Sequence, residues 1–404
     1  MILGLGLLLA SCHSMKPIAN RNLAYHYVQG FPLQVKHRVL EIGDDLSVFI
    51  QINFRKLSSI KDFRSIWDKY SIIYTISKDY ESFNILVQDS LGPENRINPS
   101  VNPLVLFLKI PKAQKNRLLS LTIKEKQGTE VYTFDIPIRE EEPGNMEAAL
   151  FSKNGRHPVF DNYIQAKDTV VLRTFSFGND EPELEFHPFN KSVALPPMAA
   201  IPTSGNDFEK SYAVKISPNQ RMVFKEPGYY FLPSKNHQNQ GFGFMVAEPY
   251  FPTPGLPLEL IDPMIYISTR EERKNLLEAS NQKMALDQFW LKANSQKEVS
   301  RKLIKSYFEN VEGANSFFSS HKAGWKTDQG MVYAIYGPPP AVFKNDNLEI
   351  WQYDKSVGME NSVFYFSRRN YIKDPNVWEL KRFNEYDRVW YGVVELWRKG
   401  VINR

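Results

Sequence analysis

The chain has 404 residues, 42% of them hydrophobic and 24% charged, which is the balance of a folded protein and excludes wholesale disorder. Its net charge of +5 is mild for this length, and Lys and Arg are not gathered into one long block, so no nucleic-acid partner is expected. A single cysteine rules out a disulfide within the chain and any Cys-based metal site, so each domain must be held by its core.

That cysteine, Cys12, ends the run Leu9-Ala10-Ser11-Cys12 after a short, almost wholly apolar segment with no Lys or Arg ahead of it. The run resembles the lipobox of bacterial lipoproteins. The resemblance implies that residues 1–12 form the lipoprotein signal peptide and lipobox and that Cys12 becomes a lipidated first residue. The segment is too short to span a bilayer. Attachment would come from acyl chains, each buried CH₂ adding about 0.8 kcal/mol. Residues 13–22 are polar and aperiodic and read as a tether.

A period-2 pattern follows. Val35, His37 and Val39 alternate, then Leu46 to Phe54, Ile72 to Ile76, and Phe83, Ile85 and Val87. Val105 and Phe107, Leu119 to Ile123 and Val131 to Ile136 continue it, with Gly128 placed for a hairpin turn. The spacing predicts a β-sandwich of immunoglobulin-like architecture over residues 23–140. Pro93, Pro99 and Pro103 bracket a loop, and a lysine-rich stretch from Lys109 to Lys126 reads as a solvated sheet edge. The charged, helix-breaking run Glu140-Glu141-Glu142-Pro143-Gly144 marks a boundary. A second β-rich domain is expected over 145–250, with strands near 169–175, 212–216, 222–224, 228–232 and 243–246.

Beyond a proline-rich seam at 249–257 the period changes to about 3.6, the mark of helices. Thr269-Arg270-Glu271-Glu272 has the form of a capping box, and Ser295-Gln296-Lys297-Glu298 repeats it. Ala285, Phe289 and Ala293 fall on one helical face with Leu286 and Trp290 beside it, and Val299, Leu303, Ile304, Tyr307, Phe308 and Val311 form a second apolar stripe, which together predict a helical hairpin. Short strands are expected at 331–336, 348–353 and 362–367, a fourth at 378–383, and a final helix at 385–399. The fold class is therefore mixed: two β-sandwich (immunoglobulin-like) domains followed by an α+β domain over 258–404, with a helical hairpin and a small antiparallel sheet.

Within that last domain Gly324-Trp325-Lys326-Thr327-Asp328 matches the signature of the GWxTD-domain family. Phe289-Trp290, Ala314-Asn315, Phe317-Phe318, Gly330, Tyr333, the Ile335 to Pro339 run, Trp351 and the terminal Trp397-Arg398-Lys399-Gly400 resemble family positions in order around it. The resemblance implies an envelope protein of a Gram-negative bacterium, commonly a lipoprotein, and implies no reaction. Read from the residues, the motif is architectural. Gly324 supplies φ > 0 to end a helix or turn, Trp325 is an apolar plug, Thr327 and Asp328 accept backbone N–H groups, and Gly330 leads closely packed into a strand. A functional reading instead places Asp328, Lys326 and Tyr333 around a ligand, with Trp351 and Trp378 lining a groove for sugar or peptide.

Motifs for chemistry are missing. There is no His-Glu-x-x-His, no Gly-x-Ser-x-Gly elbow, and neither a Walker loop nor a dinucleotide fingerprint. No catalytic residue, metal ligand or cofactor is assigned. The expectation is a non-catalytic envelope lipoprotein, most simply of the outer membrane, tethered through Cys12 and serving as scaffold or accessory subunit for an envelope protein partner in secretion, uptake or envelope maintenance. A peptidoglycan- or glycan-binding module is the first alternative and an envelope hydrolase the second.

Overall fold

The computed structural model describes residues 18–54, 62–100, 102–114, 117–138, 147–178, 180–200, 208–235, 240–354, 360–368 and 377–401. Cys12 with its lipobox, most of the expected tether and the seam at 140–144 lie outside the described residues.

Seven strands build the first domain: β1 (Leu33–Ile42), β2 (Asp45–Phe54), β3 (Tyr70–Ser77), β4 (Ile85–Leu91), β5 (Leu104–Pro111), β6 (Arg117–Glu125) and β7 (Val131–Ile138), with a short helix α1 (Phe63–Lys69) before β3. They form a three-stranded sheet in the order β1-β2-β5 and a four-stranded sheet in the order β4-β3-β6-β7, all antiparallel. Leu46, Val48, Ile50 and Ile52 face Ile72, Ile76, Leu119, Leu121 and Ile123 in a fully apolar core. The alternation that predicts these strands is thus the alternation that fills the sandwich.

The second domain contains β8 (Ala148–Phe151), β9 (Tyr163–Gln165), β10 (Thr169–Thr174), β11 (Glu183–His187), β12 (Tyr212–Lys215), β13 (Arg221–Val223), β14 (Gly228–Pro233) and β15 (Gly241–Ala247). The sheets run β13-β10-β8 and β12-β11-β14-β15-β9, and the β9–β15 pair is parallel. The outer face of the first domain's smaller sheet is also covered. Leu40, Phe49 and Val105 pack against Ala149, Phe151, Phe160 and Val171, so an apolar interface joins the two sandwiches.

The C-terminal domain begins with α2 (Pro257–Ile261) and continues through α3 (Arg270–Glu278), α4 (Gln282–Ala293), α5 (Lys297–Phe318) and α6 (Asp328–Tyr336). Strands β16 (Ala341–Lys344), β17 (Leu348–Tyr353), β18 (Ser362–Arg368) and β19 (Trp378–Leu380) then pair in chain order, and α7 (Tyr386–Arg398) closes the fold. Thr269 caps α3 as the capping pattern predicts, its side chain and that of Glu272 exchanging bonds with each other's backbone N–H. The second box does not form: α5 starts from Gln296 with no side-chain cap.

Two local expectations are corrected. The run 331–336 is not a strand but most of α6, and every residue from Gln329 to Tyr336 is buried. An apolar run covered on all sides lacks the polar face that separates helix from strand in a sequence. Residues 18–22 of the expected tether are docked rather than free. The Ala19 N–H bonds the Tyr80 carbonyl at 3.1 Å, and Asn22 clips onto β16, accepting from the Val342 N–H at 2.9 Å and donating to Pro340.

Candidate functional site

The motif sits where three parts of the chain meet. Helix α5 ends at Phe318, and residues 324–326 form a single 3-10 turn that leads into α6. Gly324 is not among the left-handed glycines, contrary to expectation. Its role is close approach: a Cβ there would lie 1.9 Å from the Ala314 carbonyl oxygen. Gly330 has the same constraint, its Cβ position lying 1.8 Å from the Gly324 oxygen, and it serves the first turn of a helix rather than the entry to a strand.

The remaining motif residues hold that crossing in place. The Gly324 N–H donates to Ser319 Oγ at 2.9 Å and the Trp325 N–H to Asn315 Oδ1 at 3.3 Å. Thr327 is the N-cap of α6: its Oγ1 accepts from the Gly330 N–H at 3.0 Å and donates to the Gly324 carbonyl at 2.7 Å. Trp325 is only 6% exposed, as a plug should be, and its carbonyl accepts from the Tyr266 hydroxyl at 3.1 Å. Asp328 is a bidentate partner of Arg382, at 2.6 and 3.0 Å, and also accepts from the Leu380 N–H at 2.8 Å. Arg382 in turn donates to the Leu195 carbonyl at 3.1 Å, and the Ala194 N–H donates to the Lys326 carbonyl at 2.9 Å. The motif therefore ties α5, the β19 edge and a loop of the second sandwich to one point.

Tyr333 and Trp351 belong to a separate place, the junction with the first sandwich. Trp351 has no exposed surface, and its indole N–H donates to Glu349 Oε1 at 2.7 Å, so its face is closed to a sugar. Glu349 also accepts from Tyr27 Oη at 2.6 Å and Gln329 Nε2 at 3.2 Å. Tyr333 donates to the Tyr27 carbonyl at 2.7 Å. Lys344 bridges the domains, 3.2 Å from Asp135 of β7 and 4.0 Å from Glu349. Asp135 further bonds the Tyr80 hydroxyl and lies 3.4 Å from His26 Nδ1. Burial alone would push the Asp135 carboxyl up, but Lys344, His26 and Tyr80 together pull it well below the usual carboxylate range. Burial lowers His26, against the upward pull of Asp135. Trp378 is half-buried, with the Lys344 ammonium 5.7 Å from its ring centroid.

The structure does not gather Asp328, Lys326 and Tyr333 around one ligand. Asp328 faces Arg382, Tyr333 faces the leading segment, and Lys326 turns into a cleft of about 170 Å³ lined by Phe189, Met245, Phe251, Asp262 and Trp325. Sequence reasoning missed Arg382, Asp135 and Lys344. Each is a single charged residue without a local pattern, so only the fold brings it to its partner. Among the described residues no three His, Cys, Asp or Glu side chains gather as a metal-binding group, and no helix is long and apolar enough to cross a membrane.

None of the curated proteins compared matches this chain. Among solved structures, a chimeric titin tandem functionalized with a fibronectin-derived peptide is 10% identical and covers 54% of this chain and 99% of its own, at a TM-score of 0.15, too slight a likeness to carry an argument. The model of the GWxTD domain matches residues 228–399, beginning at β14 and thus including the last two strands of the second sandwich. The chain thus carries a GWxTD domain over these residues, with its signature at the crossing of α5 and α6.

Proposed function

We propose that this protein is a non-catalytic, lipid-anchored envelope protein, held through Cys12 and serving as scaffold or accessory subunit of an outer-membrane assembly. One observation carries the reading: the motif's polar side chains Thr327 and Asp328 are spent on this chain's own backbone and on Arg382, inside the fold. A group that must meet a substrate keeps a reactive atom turned to a cleft, with a base or nucleophile in reach. Here the same atoms fix the relative placement of a sandwich loop, a helix pair and a sheet edge. Rigid placement of two sandwiches and an α+β head suits a part that presents surfaces to a partner.

The anchor reading comes from the Leu9 to Cys12 run and is tested separately from the fold. Membranes of the native host are solubilised in gentle detergent and the protein is recovered with wild-type Cys12 and with Cys12→Ala. The expected result is a diacylglyceryl-modified wild-type chain that co-purifies with an envelope protein in stable proportion, and an unlipidated variant that leaves the membrane fraction. Recovery of a monomer alone across several detergents argues against the scaffold role; an unmodified thiol on a cytosolic chain removes the envelope placement.

A further inference from the structure

The cleft beside the motif has no part in the scaffold reading. It lies between the second sandwich, which contributes Phe189 and Met245, the proline-rich seam, which contributes Phe251, and the C-terminal domain, which contributes Asp262, Trp325 and Lys326. Its walls are mostly aromatic and apolar, and at about 170 Å³ it has room for a single side chain and its terminal group, well below the roughly 300–1,000 Å³ of drug-sized sites.

Lys326 is the polar feature that calls for a partner. Its ammonium stands over the Trp325 ring, 5.3 Å from the centroid. Among the described residues no carboxylate lies within ion-pair distance of it. Asp262, the acidic group that acts on it, is already engaged by Arg273 at 2.8 Å. Glu259 turns its carboxylate to the Gly255 and Leu256 N–H groups at 2.8 and 2.9 Å, and Glu248 lies exposed at the rim. Arg273, Lys322 and Lys191 add positive potential around Lys326, and burial with these neighbours lowers its proton affinity. An anion entering the cleft would relieve that repulsion and meet an ammonium already stripped of part of its water.

We propose that this cleft binds a carboxylate carried on an apolar group, with the carboxylate on Lys326 and the apolar body against Trp325 and Phe251, the occupant being the C-terminal residue of a polypeptide. Capture of a chain end by a cation in an apolar pocket is a recurring recognition mode. Only the choice of a polypeptide as occupant rests on the scaffold reading; the pocket chemistry stands apart from it.

The test uses full-length protein in detergent, titrated with N-acetyl-leucine and with N-acetyl-leucinamide, followed by tryptophan fluorescence and calorimetry. The acid is expected to bind with a Kd of about 1 mM or tighter and the amide about tenfold more weakly. Lys326→Met, which keeps the aliphatic stem over Trp325, should erase that preference, and Lys326→Arg should keep it. Equal affinity for acid and amide in the wild type, or a preference that survives Lys326→Met, overturns the proposal. So does the lack of any binding by the acid up to about 10 mM. The wild-type arm needs no variant to fold. An acid-selective pocket in a protein that co-purifies with nothing would sink the scaffold reading and leave the pocket standing.

Discussion

At the motif corner, a carboxylate and a guanidinium meet with both side chains only 11–12% exposed, and every supporting bond comes from a segment adjoining the signature or its immediate neighbours in the fold. At the junction with the first sandwich, Asp135 is more deeply buried and its partner Lys344 more exposed, and their companions come from residues 26, 27, 80 and 349. Both places lock the C-terminal domain to a β-sandwich. The corner sets a crossing within the C-terminal domain by backbone contact too tight for any side chain but hydrogen and ties it to the sandwich loop through Arg382 and the Lys326 carbonyl, whereas the junction joins the two parts through Asp135 and Lys344. Close backbone approach is unforgiving but carries no desolvation cost. A buried pair gains little net stability, since desolvation offsets the attraction, yet losing one member leaves the other stranded.

The difference can be broken from either side. Lys344→Met takes the ammonium from Asp135, leaving it Tyr80 and His26, and is expected to lower unfolding stability by about 3 kcal/mol. Asp135→Asn combined with Lys344→Met should recover a good part of that loss in a double-mutant cycle read by urea denaturation. Additive losses would show that the two residues are not coupled. Gly324→Ala forces a methyl into the Ala314 carbonyl and should cost about 3 kcal/mol, leaving the α5–α6 crossing poorly folded. A stable, native-like Gly324→Ala protein would refute the close-approach account of this residue.

Smaller effects sharpen the contrast. Asp328→Asn retains one acceptor but loses the charge-assisted fork to Arg382, for an expected loss of about 2 kcal/mol. Thr327→Val removes the α6 cap and should cost about 1 kcal/mol, seen as a lower midpoint at unchanged slope. Acidification gives a gentler, graded effect confined to the junction side. Burial lowers His37 from 6.5 to about 4 and also lowers His26, so the unfolded chain binds protons first as pH falls. The stability His37 contributes is complete above about pH 6.5, declines from there to about pH 4, and is flat below, and the contribution of His26 is likewise lost as pH falls below about 6.5. The depressed Asp135 adds its own loss only below the ordinary carboxylate range. Stability that rose between pH 6.5 and 4 would contradict neutral buried histidines.

Much of the architecture was legible in the sequence, because half-buried strands and amphipathic helices write their burial as a period. Leu46 to Phe54 and Leu119 to Ile123 announced the first sandwich, and Thr269 to Glu272 announced α3. Helix α6 was misread as a strand, since Met331, Val332, Ala334 and Ile335 are all enclosed and leave no polar face to count. The motif was recognisable as a motif, with Trp325 read as a plug and Thr327 as an acceptor of backbone N–H groups, though in a turn before a strand and not at the start of a helix. Its glycines were given the wrong reason, because φ > 0 and close approach demand the same residue and only the fold tells them apart. The Asp135 and Lys344 junction left no trace, since 209 positions of sequence separate two ordinary charged residues.

Hydrogen exchange on wild type and Asp328→Asn, read peptide by peptide, tests most directly whether the motif works by holding the chain's own parts together. The account predicts faster exchange concentrated at the Ala194 and Leu195 loop and at β19, whose Leu380 N–H bonds Asp328, with the first sandwich unchanged. Unaltered protection at both places, together with loss of a co-purifying partner, would show instead that Asp328 is a recognition residue and would contradict it.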